Sequence, residues 1–147
     1  LKYIHYGHDH FDIDLFESIK NRNIFSKPYG GFWASGKHYD YPWSKWCKDE
    51  NYTYKNQFLF FEFDLIKDAK ILTINECKQL KKLPKNKETI TIFKSEFNIR
   101  YLDFEKLSLK YDAIEVLISK DRDLYFSLYG WDCDSILIMN PKIIIGG

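Results

Sequence analysis

The chain has 147 residues, with 22 Lys and Arg against 21 Asp and Glu and a formal net charge of +1. That balance argues against a chain-wide field for polyanions, and 45% apolar with 29% charged residues argues against disorder. No run approaches the roughly 18 apolar residues that span a bilayer, and no signal-peptide pattern opens the chain, so one soluble domain over residues 1–147 is expected.

In chain order, Lys2–Tyr6 reads as a strand ending at Gly7. Asp12–Asn21 follows a helical period with Ile13, Phe16 and Ile19 on one face and Asp12 as N-cap. Pro28 and the Gly30-Gly31 pair mark a turn, Phe32–Ser35 a short strand, and Pro42 the start of a helix to about Glu50. Gln57–Leu65 and Ala69–Ile74 read as strands, and Asn75 as the cap of a helix that Pro84 stops. Thr89–Phe93 is strand-like and Tyr101–Lys110 has a helical period. Three strands are expected at the end, Ala113–Ile118, Leu124–Leu128 and Ser135–Met139, with Asp121-Arg122 as a turn and Tyr129-Gly130-Trp131 as a link. Strands and helices in irregular succession predict a mixed α+β domain.

Aromatic residues make up 18% of the chain, and they crowd its first third beside a histidine, glycines and a serine. That mixture suits a flat, polar, ribose-bearing ligand: rings stack, imidazole and hydroxyls bond sugar, and glycine admits close backbone approach. His5 lies inside a strand pattern, where a histidine bonded to backbone is the plain structural alternative. His5, His8 and His10 with Asp9, Asp12 and Asp14 have metal-ligand spacing, but His38 is the only other histidine, and for His8 and His10 an exposed polar loop with no metal is the reading adopted. The lysine run Lys78, Lys81, Lys82, Lys85, Lys87 and Lys94 reads as a solvated face, with phosphate contact as the alternative. Cys47, Cys77 and Cys133 form no CxxC pair, so reduced, buried thiols in a reducing compartment are expected.

Two features near the end carry acid chemistry. Asp132 and Asp134 flank Cys133 ahead of an apolar strand, where two carboxylates two residues apart face one way and can stabilise developing positive charge. The plain alternative is a hydrated turn or an edge-blocking pair. Glu115, between Ile114 and Val116, is a rival carboxylate or else a polar-face residue of its strand.

Tyr3-Ile4-His5-Tyr6-Gly7, then Gly31-Phe32-Trp33-Ala34-Ser35, the helix Pro42–Cys47, the strand pair within Leu59–Ile74, and Asp132-Cys133-Asp134 before Ser135-Ile136-Leu137-Ile138 resemble, in that order, the motifs of the ADP-ribosyltransferase superfamily. The first motif is closest to the His-type, poly(ADP-ribose) polymerase-like form, with Tyr6 as an extra residue between histidine and glycine. The pieces are short but touch both ends of the chain. The resemblance implies two small packed sheets with flanking helices around an NAD cleft. NAD would be the consumed substrate, with no metal. ADP-ribose would pass to a macromolecular acceptor, a protein side chain or nucleic acid, as in a bacterial or phage effector or toxin acting in a cytoplasm. It further implies that His5 bonds the adenosine-side ribose, that Gly7 and Gly31 admit backbone near the nicotinamide amide, and that Ser35 bonds nearby, with Tyr6 and Trp33 in the same NAD site. Trp46, Trp43 or Tyr41 would stack on nicotinamide. The acid would be Asp134 supported by Asp132, with Glu115 as rival; the family's acid is usually Glu, one methylene longer. A monomer without membrane contact is expected. A non-enzymatic binder of NAD or ADP-ribose and a nucleic-acid module are the competing readings, and a metal-dependent hydrolase comes last.

Overall fold

The computed structural model describes residues 1–22, 26–128 and 130–147. Among them the elements run β1 Tyr3–Tyr6, β2 Phe32–Gly36, α1 Trp43–Asp49, β3 Phe60–Leu65, β4 Ile71–Ile74, β5 Lys85–Ile92, β6 Ser95–Leu102, α2 Phe104–Lys110, β7 Ala113–Val116, α3 Arg122–Ser127, β8 Ser135–Ile138 and β9 Ile144–Ile145. The fold is mixed α+β. In place of two small packed sheets, seven strands join in the order β4-β7-β8-β2-β1-β3-β9, and β5 with β6 forms a separate two-stranded sheet. The β4–β7 pair is parallel, and the other neighbours are antiparallel.

Strand alternation divides the apolar residues between the two faces of the sheet. On one face Ile114, Val116 and Leu137 pack with Phe104 and Leu107 of α2, Leu124 of α3, Leu128 and Trp131. On the other, Tyr3, Ala34, Phe61, Phe63, Ile136 and Ile138 pack with Ile143. Trp131 is the largest fully buried side chain, and its indole N–H donates to the carbonyl of Ser26 at 2.6 Å, which satisfies the one polar atom it takes inside.

Several local expectations change. Leu124–Leu128 is a helix, not a strand: Asp121 caps it by accepting the Asp123 N–H at 3.0 Å, and Leu124 and Leu128, four apart, are both buried. The exposed Tyr125 and Phe126 gave that segment its strand-like composition. Asp12–Asn21 contains a single 3₁₀ turn, Ile13–Leu15, because its later backbone groups bond elsewhere. Lys20 exchanges two hydrogen bonds with Tyr29, and Gly31 N–H donates to Glu17 at 2.8 Å. The segment after Asn75 is a 3₁₀ helix, Cys77–Lys82, and Gln79 accepts the N–H groups of both Asn75 and Glu76 at 2.8 Å. Tyr101 and Leu102 end β6, and the helix begins after the cap Asp103. Asn23, Ile24 and Phe25, and Tyr129 of the expected link, lie outside the described residues.

Asn21 holds the start of α2 from 82 positions away. Its amide nitrogen donates to Asp103 at 2.9 Å, and its amide oxygen accepts Phe104 N–H at 2.8 Å and Glu105 N–H at 3.3 Å. Asp103, itself 5% exposed, accepts Lys106 N–H at 3.1 Å. Asn21→Ala removes one of the two donors to a buried carboxylate oxygen and deprives two helix-end N–H groups of their acceptor, and should lower unfolding free energy by about 2 kcal/mol in urea titration. An unchanged midpoint would show that water replaces the clasp.

Candidate functional site

The cavity begins where two strands part. β1 and β2 register at Tyr3↔Gly36 and Ile4↔Ser35. Beyond that point His5 and Tyr6 register with Phe61 and Phe60 of β3, while Phe32 to Ala34 register with Ile138 to Ile136 of β8. The Trp33 carbonyl, at the opening, takes its hydrogen bond from a side chain: His5 Nδ1 lies 2.6 Å away. A carbonyl can only accept, so Nδ1 carries the proton, and Nε2 accepts from His8 Nδ1 at 2.9 Å. The His5 ring stacks on Phe32 at 4.3 Å and tilts against Phe61 at 5.4 Å. Burial lowers the His5 pKa below its ordinary value and keeps the ring neutral.

Alternation then decides which side chains face which cavity. Tyr3 and His5 share the face of Phe32 and Phe61, whereas Ile4 and Tyr6 share the face of Trp33 and Ser35. Tyr6, between His5 and Gly7, therefore lies on the Trp33 face. On that face lies a cavity of about 450 Å³, within the usual size of ligand sites. Trp33, Trp43, Tyr52 and Tyr54 form its aromatic wall. Trp43 and Trp46 stack at 5.0 Å and 14°, and Tyr52 and Tyr54 stack at 6.0 Å, so the wall is two rings deep. Trp43 also meets the Tyr54 ring, tilted, at 5.9 Å.

Two cations complete the lining. Lys27 Nζ sits 5.0 Å from the Trp33 ring centroid, and the Arg22 guanidinium, 4.9 Å over Tyr29, is the second. Burial lowers the Lys27 pKa, and the nearby Asp132 carboxylate opposes that shift. Flat rings, two cations and the hydroxyl of Ser135 can together hold a planar ring joined to an anionic group. A smaller cavity of about 200 Å³ opens on the opposite face beside His5, His8, His10, Phe11, Gly31 and Phe32. His5 borders both.

The residues named from sequence divide three ways. His5, Tyr6, Trp33 and Ser35 line the larger cavity. Ser35, 2% exposed, has its hydroxyl within 3.3 Å of Trp43 N–H, where it accepts and steadies the first turn of α1. Gly31 borders the smaller cavity, but a Cβ there would meet Leu137 at 2.6 Å and Ile19 at 2.9 Å with φ at +75°, so glycine is required by packing. Gly7 has φ +108° with open space around it. Trp46 backs Trp43 without reaching the cavity, and the Tyr41 hydroxyl donates outward to Asp49 at 3.2 Å.

The three carboxylates line neither cavity. Asp134, 1% exposed, is a structural clamp: Oδ1 accepts Ser119 N–H at 2.9 Å, and Oδ2 accepts Tyr41 N–H at 3.0 Å and the Ser119 hydroxyl at 2.6 Å. Its own N–H returns to the Tyr41 carbonyl at 2.8 Å. Glu115 accepts the Tyr39 hydroxyl at 2.5 Å and the Thr73 hydroxyl at 3.0 Å, and its proximity adds to the burial that raises the Tyr39 pKa. Asp132 is half-buried and acts electrostatically on Lys27 of the cavity lining. Among the described residues no group of three or more His, Cys, Asp or Glu forms a metal cluster. Cys133 is buried, with its thiol pushed up to about 11, while Cys47 and Cys77 are half-buried. Sequence reading passed over Arg22, Lys27, Tyr52 and Tyr54; the Tyr-Thr-Tyr alternation was the available signal.

Asp134→Asn must turn an amide NH₂ toward either Ser119 N–H or Tyr41 N–H, so about 3 kcal/mol of stability should be lost in urea titration. A native-like midpoint would remove Asp134 from its clamp role. For His5, the unfolded ring binds a proton near pH 6.5 while the folded ring resists it. Stability should thus hold above pH 6.5 and fall as pH drops through 6.5 toward the lowered folded pKa. His5→Asn, which keeps a donor for Trp33 but cannot titrate, should show a flatter dependence of Tm on pH; equal slopes would refute the assignment.

Comparison with protein-family models, with curated proteins and with solved structures finds no match for this chain.

Proposed function

We propose that the larger cavity binds NAD and that the protein is an ADP-ribosyltransferase, transferring ADP-ribose to a macromolecular acceptor. One observation carries the reading: the opening between β1 and β2 is walled by Trp33, Trp43, Tyr52 and Tyr54 and carries Lys27 and Arg22. Those rings suit nicotinamide or adenine, and the two cations suit the diphosphate between them.

In this reading the glycosidic bond between ribose C1′ and the nicotinamide nitrogen breaks, and nicotinamide leaves with the bonding pair. An acceptor nucleophile then adds to C1′ and gives up its proton. The charge that develops on the ribose calls for a carboxylate. Asp134 and Glu115 spend their oxygens on internal donors, so the role would fall to Asp132, which acts on Lys27 from outside the cavity lining and would have to turn toward bound NAD. Tyr6, on the cavity face, supplies a hydroxyl for sugar where the motif suggested His5. His5 instead holds the opening in shape through Trp33.

A second reading, an NAD or ADP-ribose binder without catalysis, is favoured by the same engagement of Asp134 and Glu115. Calorimetric titration with NAD separates the two from a cavity with no nucleotide role. Trp43→Ala should weaken binding about tenfold through lost stacking, and Lys27→Met about tenfold through the lost cation. Nicotinamide release, followed chromatographically with and without cell lysate, should fall about 100-fold in Asp132→Asn while NAD binding persists. Binding without release in the parent chain selects the second reading. Absence of binding rejects both.

A further inference from the structure

The β5–β6 hairpin stands outside everything described so far. Its strands pair with each other over eight registered positions, from Lys85↔Leu102 to Ile92↔Ser95, and join no strand of the main sheet. At roughly 3.3 Å per residue it is an arm about 26 Å long. Its base is fixed: Tyr101 and Leu102 are buried, Asp103 N–H donates to the Pro84 carbonyl at 2.9 Å, and Lys85 Nζ donates to the carbonyls of Leu80 and Leu83. Farther out, Lys87, Thr91, Phe93, Lys94, Ser95, Glu96 and Arg100 are exposed.

Three properties of this arm do nothing for the fold. First, residues 81–102 hold six cations, Lys81, Lys82, Lys85, Lys87, Lys94 and Arg100, against the two anions Glu88 and Glu96. That is +4 in a chain whose total is +1, so the rest of the molecule is negative. Second, Lys87 lies directly across from Arg100, and like charges directly opposed on one face of a ribbon are unfavourable. Among the described residues, no ion pair holds Lys87, Lys94 or Arg100. Third, the tip is Phe93-Lys94, with φ of 50° and 65°, positions that in a two-residue hairpin turn ordinarily take Asn or Gly. A bulky residue there is strained, and the Phe93 ring is 97% exposed. A turn selected only to close the hairpin would not carry this pair.

We propose that the hairpin is a docking arm for duplex DNA. A two-stranded ribbon fits the major groove of B-form DNA. The opposed Lys87 and Arg100 would each face a phosphate, which removes their mutual repulsion, and Lys81 and Lys82 would extend the contact at the base. Phe93 would lie against base edges or thymine methyls at the leading end. The site is separate from the NAD cavity and stands or falls independently of it.

The test is fluorescence anisotropy of a labelled mixed-sequence 20-base-pair duplex across 50–200 mM salt, with the full chain. Parent protein should bind with a log–log salt slope steeper than −2. Lys87→Gln combined with Arg100→Gln should reduce the magnitude of the slope by about 2 and weaken binding at least tenfold at the lowest salt. Phe93→Ser should weaken binding a few-fold and leave the slope unchanged. All three positions are exposed, so matched thermal melts should confirm that folding is intact. Failure to bind the duplex, or an unaltered slope in the double variant, would overturn the proposal. Equal affinity for the single strand would overturn the groove assignment, and equal competition by poly-glutamate would reassign the arm to an acidic protein.

Discussion

The junction of β1 with β2 governs the rest of the molecule. Two registered pairs join the strands, and the ladder then stops, while each strand stays paired along its other edge, β1 with β3 and β2 with β8. An opened ladder leaves backbone carbonyls that must find donors. At Trp33 the donor is the His5 ring, which holds this histidine of an apolar strand in one orientation, while burial outweighs that bond and keeps the ring neutral. Both cavities border this point. Both cavities are thus a product of where pairing ends.

A second constraint sorts the acids. A buried carboxylate is tolerable when donors surround it, and donors that surround it also take it away from solvent and ligand. Asp134 ties the start of β8 to the chain before α1 and to the 3₁₀ turn after β7. By fixing Tyr41 it sets where Pro42 and hence Trp43 begin their helix, so it serves the cavity wall without entering it. Glu115 plays a similar internal part between Tyr39 and Thr73. Asp132, two residues from Asp134 across a bend at Cys133, is half-buried and acts on Lys27.

Elements whose patterning and capping agreed were legible in the sequence. β1, β2, α1, β4 and β8 lie where alternation, Pro42 and the turn glycines placed them. Failures came where local composition and tertiary pairing disagreed. The 12–21 segment has a helical period, yet its backbone bonds to Tyr29 and Gly31, contacts that no local window contains. For α3, two exposed aromatics outweighed the four-residue spacing of Leu124 and Leu128 in the reading, while burial follows the spacing. At the candidate site, His5, Trp33 and Ser35 were legible because they sit on strands. Lys27 and Arg22 were not, because a cation flanking a turn looks the same whether it faces water or a cavity. The extra residue after His5 was visible as a spacing anomaly, but its consequence, the reversal of face between His5 and Tyr6, needed the register.

The aromatic wall has an optical consequence. The chain has four tryptophans, and all belong to one neighbourhood. Trp33 and Trp43 face the larger cavity, Trp46 stacks on Trp43, and Trp131 meets Trp33 edge-on at 4.7 Å. The indole emission of the protein therefore originates at this single location, with excitation shared among rings in contact. A guest lying against Trp33 or Trp43 would quench or shift most of the signal at once, so the fold carries its own reporter of occupancy.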